Sequence, residues 1–205
     1  MIFQEIEAAH KTLTGWTSWQ KAEALASAVI ALRPAISVEI GVWAGRSFIP
    51  MAMAHKHIGH GTAWAIDPWS HASSTIGQVN PADVEWWSKQ ERHEFAYKQF
   101  STRIVELALQ NSVNIQRLPS DMVVPPKDIG LLHIDGNHGE QSIRDVSRFV
   151  PNVIPGGLLI LDDLEWSGGS VMQSASLAIE HGFKELFAIK DSVSQNTWAV
   201  YQKTT

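Results

Sequence analysis

The chain has 205 residues, of which 44% are hydrophobic and 18% charged, a composition typical of one globular domain with a sizeable core. A net charge of -5 argues against a nucleic-acid partner, and the absence of cysteine excludes disulfides, a thiolate nucleophile and a thiolate metal site. The N-terminus lacks the pattern of a secretory signal, and no apolar run is long enough to span a membrane. We therefore expect a soluble cytoplasmic protein with no membrane partner.

Apolar, strand-like runs alternate with helical segments along the chain, which predicts an α/β fold with a mostly parallel sheet. A helix is predicted over residues 18–34, where apolar residues recur at helical spacing before a proline. Strands are predicted at 35–41 and 62–67 with a helix at 46–57 between them, and Asn80 and Pro81 have the residue types of a helix N-cap and first position. Further strands are predicted at 113–118, 129–135 and 157–163. The last two, 183–189 and 196–203, are joined by too short a link for a helical crossover, so we expect them to be antiparallel.

Residues 68–87 do not fit this alternation. They form a long segment that is small and polar in its first half and bounded by tryptophans. A long insertion in a compact domain is usually functional or disordered, and we expect residues 68–95 to contribute to an active site. Trp69, Trp86 and Trp87 either line a ligand pocket there or pack in the core.

The end of the first predicted strand has features of a nucleotide-binding turn. Glu39 and Gly41 lie where the strand ends, and Gly45 lies where the next helix begins, so the backbone could approach a ligand closely. Trp43 occupies the middle glycine position of the dinucleotide fingerprint, which argues against a bound pyrophosphate. Asp67 ends the second strand at the interval where an acid reaches ribose hydroxyls. The pattern favours an adenosine-type ligand, although a tight turn with a surface aspartate would give the same residues.

Four motifs in this order resemble one enzyme family. They are E-x-G-x-x-x-G-x-S at 39–47, the acid at 67, IDGNH at 134–138 and PGGLLILDD at 155–163. The chain resembles the class I S-adenosylmethionine-dependent methyltransferases, and within them the small metal-dependent O-methyltransferases related to the macrocin and aminocoumarin sugar methyltransferases. The resemblance implies one domain over residues 1–205 with a Rossmann-like three-layer sandwich. Its seven-stranded sheet would have the order 3-2-1-4-5-7-6 with strand 7 antiparallel, and a homodimer is implied by the resemblance alone.

The resemblance also implies which residues bind S-adenosylmethionine. They are Glu39, Gly41, Gly45, Ser47, Asp67, Ser120 and Asp121. Glu39 and Gly41 would lie near the methionine part of the cofactor, and Asp67 on the ribose. Ser120 and Asp121 would lie near the adenine, although a polar turn explains these two residue types equally well.

Acidic residues follow the fourth and fifth predicted strands. Asp135, Asp162 and Asp163 would converge if these strands are adjacent, because neighbouring strands lie about 5 Å apart. Clustered carboxylates repel unless a cation lies among them, and oxygen ligands favour Mg²⁺, with Mn²⁺ and Ca²⁺ as the alternatives. Consecutive strand residues face opposite ways, so Asp162 and Asp163 both ligate one ion only if the chain leaves the strand near Asp163. Otherwise Asp162 caps a helix or faces the other side of the sheet.

His138 follows Asp135 by three residues and is the candidate general base for an acceptor hydroxyl. The alternative for His138 is local hydrogen bonding only. We expect His133 to be structural, and His71 and His93 to be candidates for lining the acceptor pocket. The resulting hypothesis is a Mg²⁺-assisted O-methyltransferase, with catalytic Asp135 and His138, that acts on a small hydroxylated sugar, polyketide or phenol. An NAD-type oxidoreductase and a noncatalytic S-adenosylmethionine-binding module are the alternatives.

Overall fold

The computed structural model describes residues 2–78, 80–166 and 168–204. Its helices are α1 (Ile2–His10), α2 (Trp19–Leu32), α3 (Phe48–Ile58), α4 (His71–Ser74), α5 (Pro81–Trp87), α6 (Gln90–Glu106), α7 (Glu140–Phe149) and α8 (Ser170–Glu180). Its strands are β1 (Ile36–Ile40), β2 (Thr62–Ile66), β3 (Val113–Gln116), β4 (Ile129–Ile134), β5 (Val153–Leu161), β6 (Phe183–Lys190) and β7 (Thr197–Lys203).

The seven strands form one sheet in the order β3-β2-β1-β4-β5-β7-β6. The pairs among β1 to β5 are parallel, whereas β7 runs antiparallel to both β5 and β6. The predicted strand order and the antiparallel C-terminal pair are therefore confirmed. The order changes direction between β1 and β4, and ligands of open α/β sheets bind outside the carboxyl ends of the strands at such a switch point.

Two hydrophobic clusters cover the two faces of the sheet and make a three-layer sandwich. One cluster contains residues of α1, α2, α3 and α6, and the other contains residues of α7 and α8. The central strands β1 and β4 are buried on both faces, which explains their apolar sequences. The three-layer prediction is thus confirmed.

Helix α2 shows how the sequence sets the boundaries of a helix. The hydroxyl of Ser18 accepts a hydrogen bond from the backbone N–H of Lys21, and the chain ends the helix with Arg33 in the left-handed region at φ 47°. Leu25 and Val29 are fully buried on its inner face, whereas Leu32 at the end of the predicted apolar stripe is 39% exposed. The stripe therefore ends one turn earlier than its periodicity predicts.

The insertion after β2 contains the short helices α4 and α5 before α6 begins. Asn80 caps α5 as predicted, because its side chain accepts from the N–H of Ala82, and Pro81 is the first helical residue. Helix α1 had no predicted counterpart. None of the helices within the described ranges is long and apolar enough to cross a membrane.

Candidate functional site

A cavity of about 690 Å³ opens at the carboxyl ends of β1, β2, β4 and β5. The backbone ladder continues beyond the strands and aligns their ends. The N–H of Gly41 donates to Ile66, that of Asp135 to Ile40, and that of Asp162 to Ile134, at 2.9, 2.9 and 3.2 Å. Gly41, Asp135 and Asp162 are therefore held side by side at the carboxyl ends of their strands. The cavity is large enough for a cofactor-sized ligand.

Both glycines of the turn after β1 have a structural requirement of their own. Gly41 has a φ of +89°, and a Cβ there would lie 2.2 Å from the carbonyl oxygen of Asp135. Gly45 has a φ of +86°, and its Cβ would lie 2.8 Å from the ring of Phe100. Close packing and backbone conformation thus demand glycine at both positions. Their predicted contact with a cofactor stays a prediction.

Asp67 fixes the same turn from the neighbouring strand. Its carboxylate accepts hydrogen bonds from the backbone N–H of Trp43 at 2.9 Å and of Trp69 at 2.6 Å. Burial raises the pKa of Asp67, and these two hydrogen bonds oppose the increase. The side chain also lines the cavity, where its remaining lone pairs are available to a ligand.

The tryptophans of the insertion have two different environments. Trp69 is fully buried, donates through its indole N–H to the carbonyl of Trp43 at 2.8 Å, and stacks on Phe100. Trp86 and Trp87 instead line the cavity. Among the three candidates, Trp69 therefore belongs to the core, and the other two form part of the cavity wall.

A cluster of four tryptophans joins the insertion to the rest of the cavity wall. Trp86 and Trp87 of α5 pack against Trp16 from the loop between α1 and α2, and against Trp43 from the glycine turn, with ring centroids 5.1 to 5.9 Å apart. His93 also lines the cavity and packs edge-on against Trp43. His71 is exposed and pairs with Gln90.

A cluster of polar side chains lines the cavity beside the turn after β3. The amide nitrogen of Gln141 lies 3.1 Å from Ser120 Oγ, 3.1 Å from Asp121 Oδ1 and 3.0 Å from Asp145 Oδ1. Asp145 is 1% exposed, and its second oxygen has no hydrogen-bond partner among the described residues. Burial raises the pKa of Asp145 to about 6. Gln141 and Asp145 had not been singled out from the sequence.

A chain of buried side chains connects the glycine turn, residues 41–45, to the acid cluster formed by Asp135, Asp162 and Asp163. Ser47 donates to Glu39 Oε1 at 2.6 Å, and Glu39 Oε2 faces His133 Nδ1 at 3.2 Å. Burial raises the pKa of Glu39 to about 8 and lowers the pKa of His133 to about 3. Glu39 Oε2 and His133 Nδ1 face each other as two buried atoms without a hydrogen-bond partner among the described residues. Nε2 of His133 lies 3.2 Å from Asp162 Oδ2. His133 is fully buried, and its structural role stays a prediction.

The three aspartates divide into two groups. Asp163 has a φ of +56°, so the chain leaves the regular strand at this residue. Asp135 lies within ligand distance of His133 and Asp162 on one side, and of His138 and Asp163 on the other. Asp162 and Asp163 therefore both lie close to Asp135, but they belong to different groups. The first set is His133, Asp135 and Asp162, and the second set is Asp135, His138 and Asp163.

Lys21, which had not been singled out from the sequence, places a cation beside the first set. The ammonium of Lys21 contacts the carboxylate of Asp162 and lies 3.4 Å from Asp135 Oδ2, and its side chain is 4% exposed. Lys21 lies four residues before Leu25 and eight before Val29 on the buried stripe of α2, so helical periodicity contained the signal. A lysine on an apolar stripe needs a buried partner.

His138 lies in the second set, next to the cavity. Its Nε2 is 2.9 Å from Asp163 Oδ2, and Asp163 Oδ1 accepts from the amide of Asn196 at 2.7 Å. Burial lowers the pKa of His138, but the hydrogen bond and charge of Asp163 outweigh burial, so that the pKa is raised. The pKa of Asp163 is lowered, because His138 and Asn196 outweigh the effect of burial. A histidine oriented by a carboxylate through one nitrogen can accept a proton through the other.

Most of the predicted site residues line the cavity. Its walls include Gly41, Ser47, Asp67, Ser120, Asp121, Asp135, His138, Asp162 and Asp163. Glu39 is fully buried beneath the wall and reaches the cavity only through Ser47, and Gly45 packs on Phe100. The individual roles assigned to these residues stay predictions.

Comparison with known proteins identifies what this arrangement is similar to. Residues 38–164 match a family profile described as a methyltransferase domain, which covers more than half of the chain. No curated protein sequence matches the chain. The matched segment includes the glycine turn, Asp67 and the acid cluster, but not Lys21.

Solved structures share the fold at low sequence identity. The O-methyltransferase NovP is 17% identical with a TM-score of 0.68, and the match covers 91% of this chain and 79% of NovP. TomG from Streptomyces achromogenes, an O-methyltransferase involved in tomaymycin synthesis and solved with SAM, is 12% identical, with a TM-score of 0.64 and coverages of 100% and 90%. An O-methyltransferase from Bacillus cereus in complex with SAH is 12% identical, with a TM-score of 0.62 and coverages of 99% and 90%. These likenesses confirm the class I fold predicted from the sequence.

Proposed function

Because the chain belongs to the methyltransferase-domain family, we propose that it transfers the methyl group of S-adenosylmethionine to a hydroxyl oxygen of a small acceptor. One observation carries this proposal: His138, paired with Asp163, opens onto the same cavity as Asp67. A base and a ribose-binding acid in one cavity match the needs of O-methyl transfer. Two of the structural neighbours are described as O-methyltransferases bound to SAM or SAH, which supports the same reaction here.

We propose that the cofactor lies along the edge of the sheet. Its methionine part would approach Gly41 and Ser47, its ribose would bind Asp67, and its adenine would lie between Ser120, Asp121 and the carboxylate of Asp145. The free oxygen of Asp145 and the free lone pairs of Asp67 support this placement, because buried polar groups normally have partners. Glu39, neutral at pH 7, supports the turn through Ser47 and does not add charge next to the cofactor.

The proposed reaction is an in-line displacement. The acceptor oxygen forms a bond to the methyl carbon, the carbon–sulfur bond breaks with its electron pair going to sulfur, and S-adenosylhomocysteine is released. The proton of the acceptor hydroxyl goes to Nδ1 of His138, while Nε2–H is held by Asp163 at 2.9 Å. Positioning within the cavity supplies a large part of the rate, because the reacting atoms are already aligned.

We propose that one divalent cation binds in the set formed by Asp135, His138 and Asp163. Three carboxylates, those of Asp135, Asp162 and Asp163, lie around a single ammonium, that of Lys21. Asp135 and Asp163 are the two carboxylates that lie in one set with His138, and a carboxylate has enough lone pairs to accept from His138 and still bind an ion. Mg²⁺ bound there would lower the pKa of a chelating hydroxyl. Asp162, the third predicted ligand, faces Lys21 in this structure.

The cavity wall supports an acceptor with a flat or apolar face. Trp16, Trp86 and Trp87 line it beside the insertion, and Trp166 packs against His138 with ring centroids 5.0 Å apart. Aromatic walls bind phenols, polyketides and the apolar faces of sugars. These three compound classes are therefore the acceptors that we propose.

A methyl-transfer assay tests the proposal. The protein would be incubated with S-adenosylmethionine carrying a labelled methyl group, Mg²⁺ and a panel of phenols, hydroxylated polyketides and sugars. Label in an O-methyl product from the wild type, and none from His138→Gln, would support it. Binding of the cofactor without transfer to any acceptor of the panel would favour the noncatalytic module. NAD binding in place of S-adenosylmethionine would favour the oxidoreductase, which the family match already argues against.

A further inference from the structure

Lys21 is a buried cation in the centre of the acid cluster. Its residue is 3% exposed, its ammonium contacts Asp162, and it lies 3.4 Å from Asp135 Oδ2. Asp162 is itself 4% exposed, so both members of this ion pair have lost nearly all their solvent. Burying an ammonium is costly unless a carboxylate and further hydrogen bonds compensate, so Lys21 and Asp162 depend on each other.

The helix holds Lys21 in a fixed position. The hydroxyl of Ser18 accepts from the N–H of Lys21 at 3.2 Å, and the N–H of Ser18 donates to Asp191 Oδ2 at 3.1 Å. Leu25 and Val29 on the same stripe are fully buried. The start of α2 is therefore anchored at its cap and along its inner face, and the ammonium has little freedom to leave the acid cluster.

The carboxylate of Asp162 already has two buried partners. Its Oδ2 contacts the ammonium of Lys21 and lies 3.2 Å from His133 Nε2. The other imidazole nitrogen of His133 faces Glu39 at 3.2 Å, so the histidine cannot turn away without breaking the buried chain. Asp163 follows directly but points to His138 and Asn196. The two aspartates thus have separate partners, and only Asp163 shares a set with the cavity-facing His138.

We propose that Lys21 is a positioning residue that acts as the resident cation of the acid cluster, occupying the place between Asp135 and Asp162 and keeping Asp162 from ligating a divalent ion. The divalent ion is then confined to Asp135 and Asp163. The inference rests on the metal site of the proposed function. It goes beyond that function because it assigns a role to a residue outside the matched family segment, which spans residues 38–164.

The consequence is a weakened divalent site. An ammonium 3.4 Å from Asp135 Oδ2 repels a second cation and neutralises part of the carboxylate's charge. Removal of the ammonium frees Asp162 to turn towards the ion as an additional oxygen ligand. Lys21→Met should therefore raise the affinity for a divalent cation by about tenfold or more.

Manganese binding is the test, because Mn²⁺ reports its own free concentration by electron paramagnetic resonance and requires no turnover. Mn²⁺ would be titrated into the cofactor-free wild type, Lys21→Met, and the double variant Lys21→Met/Asp162→Asn. We expect tighter binding by Lys21→Met, and a return of the double variant to within about threefold of the wild type, since the paired change keeps the net charge. Lys11→Met, which removes an exposed lysine paired with Glu7, is the matched control and should bind like the wild type.

The outcomes separate this inference from the proposed function. Tighter Mn²⁺ binding by Lys21→Met that depends on Asp162 supports the inference, whether or not the wild type binds Mn²⁺. Absence of Mn²⁺ binding by the wild type would remove Mg²⁺ from the proposed function. Unchanged or weaker binding by Lys21→Met overturns the inference and leaves the proposed metal site in place. Binding by none of the proteins overturns both.

The double variant also serves as the control in case the single variant Lys21→Met does not fold. If Lys21→Met does not fold, as judged by circular dichroism, the double variant decides alone, because replacing both members of a buried ion pair is tolerated far better than replacing one. Retention of wild-type Mn²⁺ affinity by the double variant supports the inference. A loss of more than about tenfold shows that Asp162 is a ligand and overturns it.

Discussion

Lys21 and Asp135 are separated by 114 positions in the sequence, yet the ammonium of Lys21 lies 3.4 Å from Oδ2 of Asp135. Helix α2 and strand β4 bring them together at the edge of the sheet. The contact means that the carboxylates after β4 and β5 have a cation supplied by the chain itself. Together with the pair of His138 and Asp163, it divides the acid cluster into a part paired with Lys21 and a part paired with His138.

His138→Gln should abolish most methyl transfer. Glutamine cannot accept the hydroxyl proton, and loss of a general base typically lowers the rate by about 10²- to 10⁴-fold. Binding of S-adenosylhomocysteine, measured by calorimetry, should stay within about threefold of the wild type, because the proposed cofactor contacts lie elsewhere. His57→Gln, on an exposed turn of α3, is the control. An undiminished rate in His138→Gln would exclude His138 as the base.

Removal of divalent metal should slow turnover without releasing the cofactor. EDTA is expected to lower the rate because Asp135 and Asp163 would no longer hold the ion that acidifies the acceptor hydroxyl. Added Mg²⁺ should restore the rate in the wild type but not in Asp135→Asn. The account of the metal fails if turnover in EDTA equals turnover in Mg²⁺ while cofactor binding is intact.

Parts of this site were predictable from the sequence, and the reasons differ between residues. Asp67 and Asp135 directly follow apolar strands, so the parallel arrangement alone places them at one edge. The split between Asp162 and Asp163 depends on a left-handed φ of 56° at Asp163, which the local sequence permits but does not require. Lys21 was missed because its partners come from distant strands, although its place on the buried stripe of α2 was readable.

The same contrast holds for the fold. Apolar runs predicted the seven strands, whereas their order was implied by the resemblance to the methyltransferase family. Gly41 was interpreted as allowing close approach of a ligand, whereas its Cβ would collide with the backbone of Asp135. Trp69 could not be separated from Trp86 by sequence, because composition does not reveal which ring meets Phe100.

The cluster of Trp16, Trp43, Trp86 and Trp87 should restrain helix α5 of the insertion. Trp16→Ala removes a ring that is 46% exposed and packs 5.2 Å from Trp86, so the free energy of unfolding should change by less than about 1 kcal/mol. Trypsin cleavage near Lys89 should nevertheless accelerate, because α5 loses its contact with the loop between α1 and α2. Phe95→Ala on α6, where the side chain is 60% exposed, is the control. Equal cleavage rates for the two variants would show that the cluster does not restrain α5.

Asp145 should destabilise the folded protein increasingly as the pH rises. Its pKa is about 6 in the folded state against an ordinary value of 3.8, so the folded state retains the proton that the unfolded chain has released. For a carboxyl with a raised pKa, the cost of ionisation grows from pH 3.8 and is complete above about pH 6. Asp145→Asn should therefore gain stability over the wild type, and the gain should increase by about 1 kcal/mol between about pH 5 and 8.

Urea unfolding at those two pH values measures this difference. Asp128→Asn, which removes an exposed carboxylate beside β4, is the control for the change in net charge. A gain that is the same at both pH values would contradict the assigned burial of the Asp145 carboxylate. A loss of stability at both would indicate that the carboxylate has a partner which asparagine cannot replace.

We propose that the cavity beside Gly41 and Asp67 binds S-adenosylmethionine. The decisive experiment is a calorimetric titration of S-adenosylhomocysteine into the wild type and Asp67→Asn, with circular dichroism to confirm that the variant is folded. We predict one binding site per chain in the wild type at roughly micromolar strength, and at least about tenfold weaker binding in Asp67→Asn. Absence of heat with the wild type, or equal affinity of the two proteins, would contradict the account.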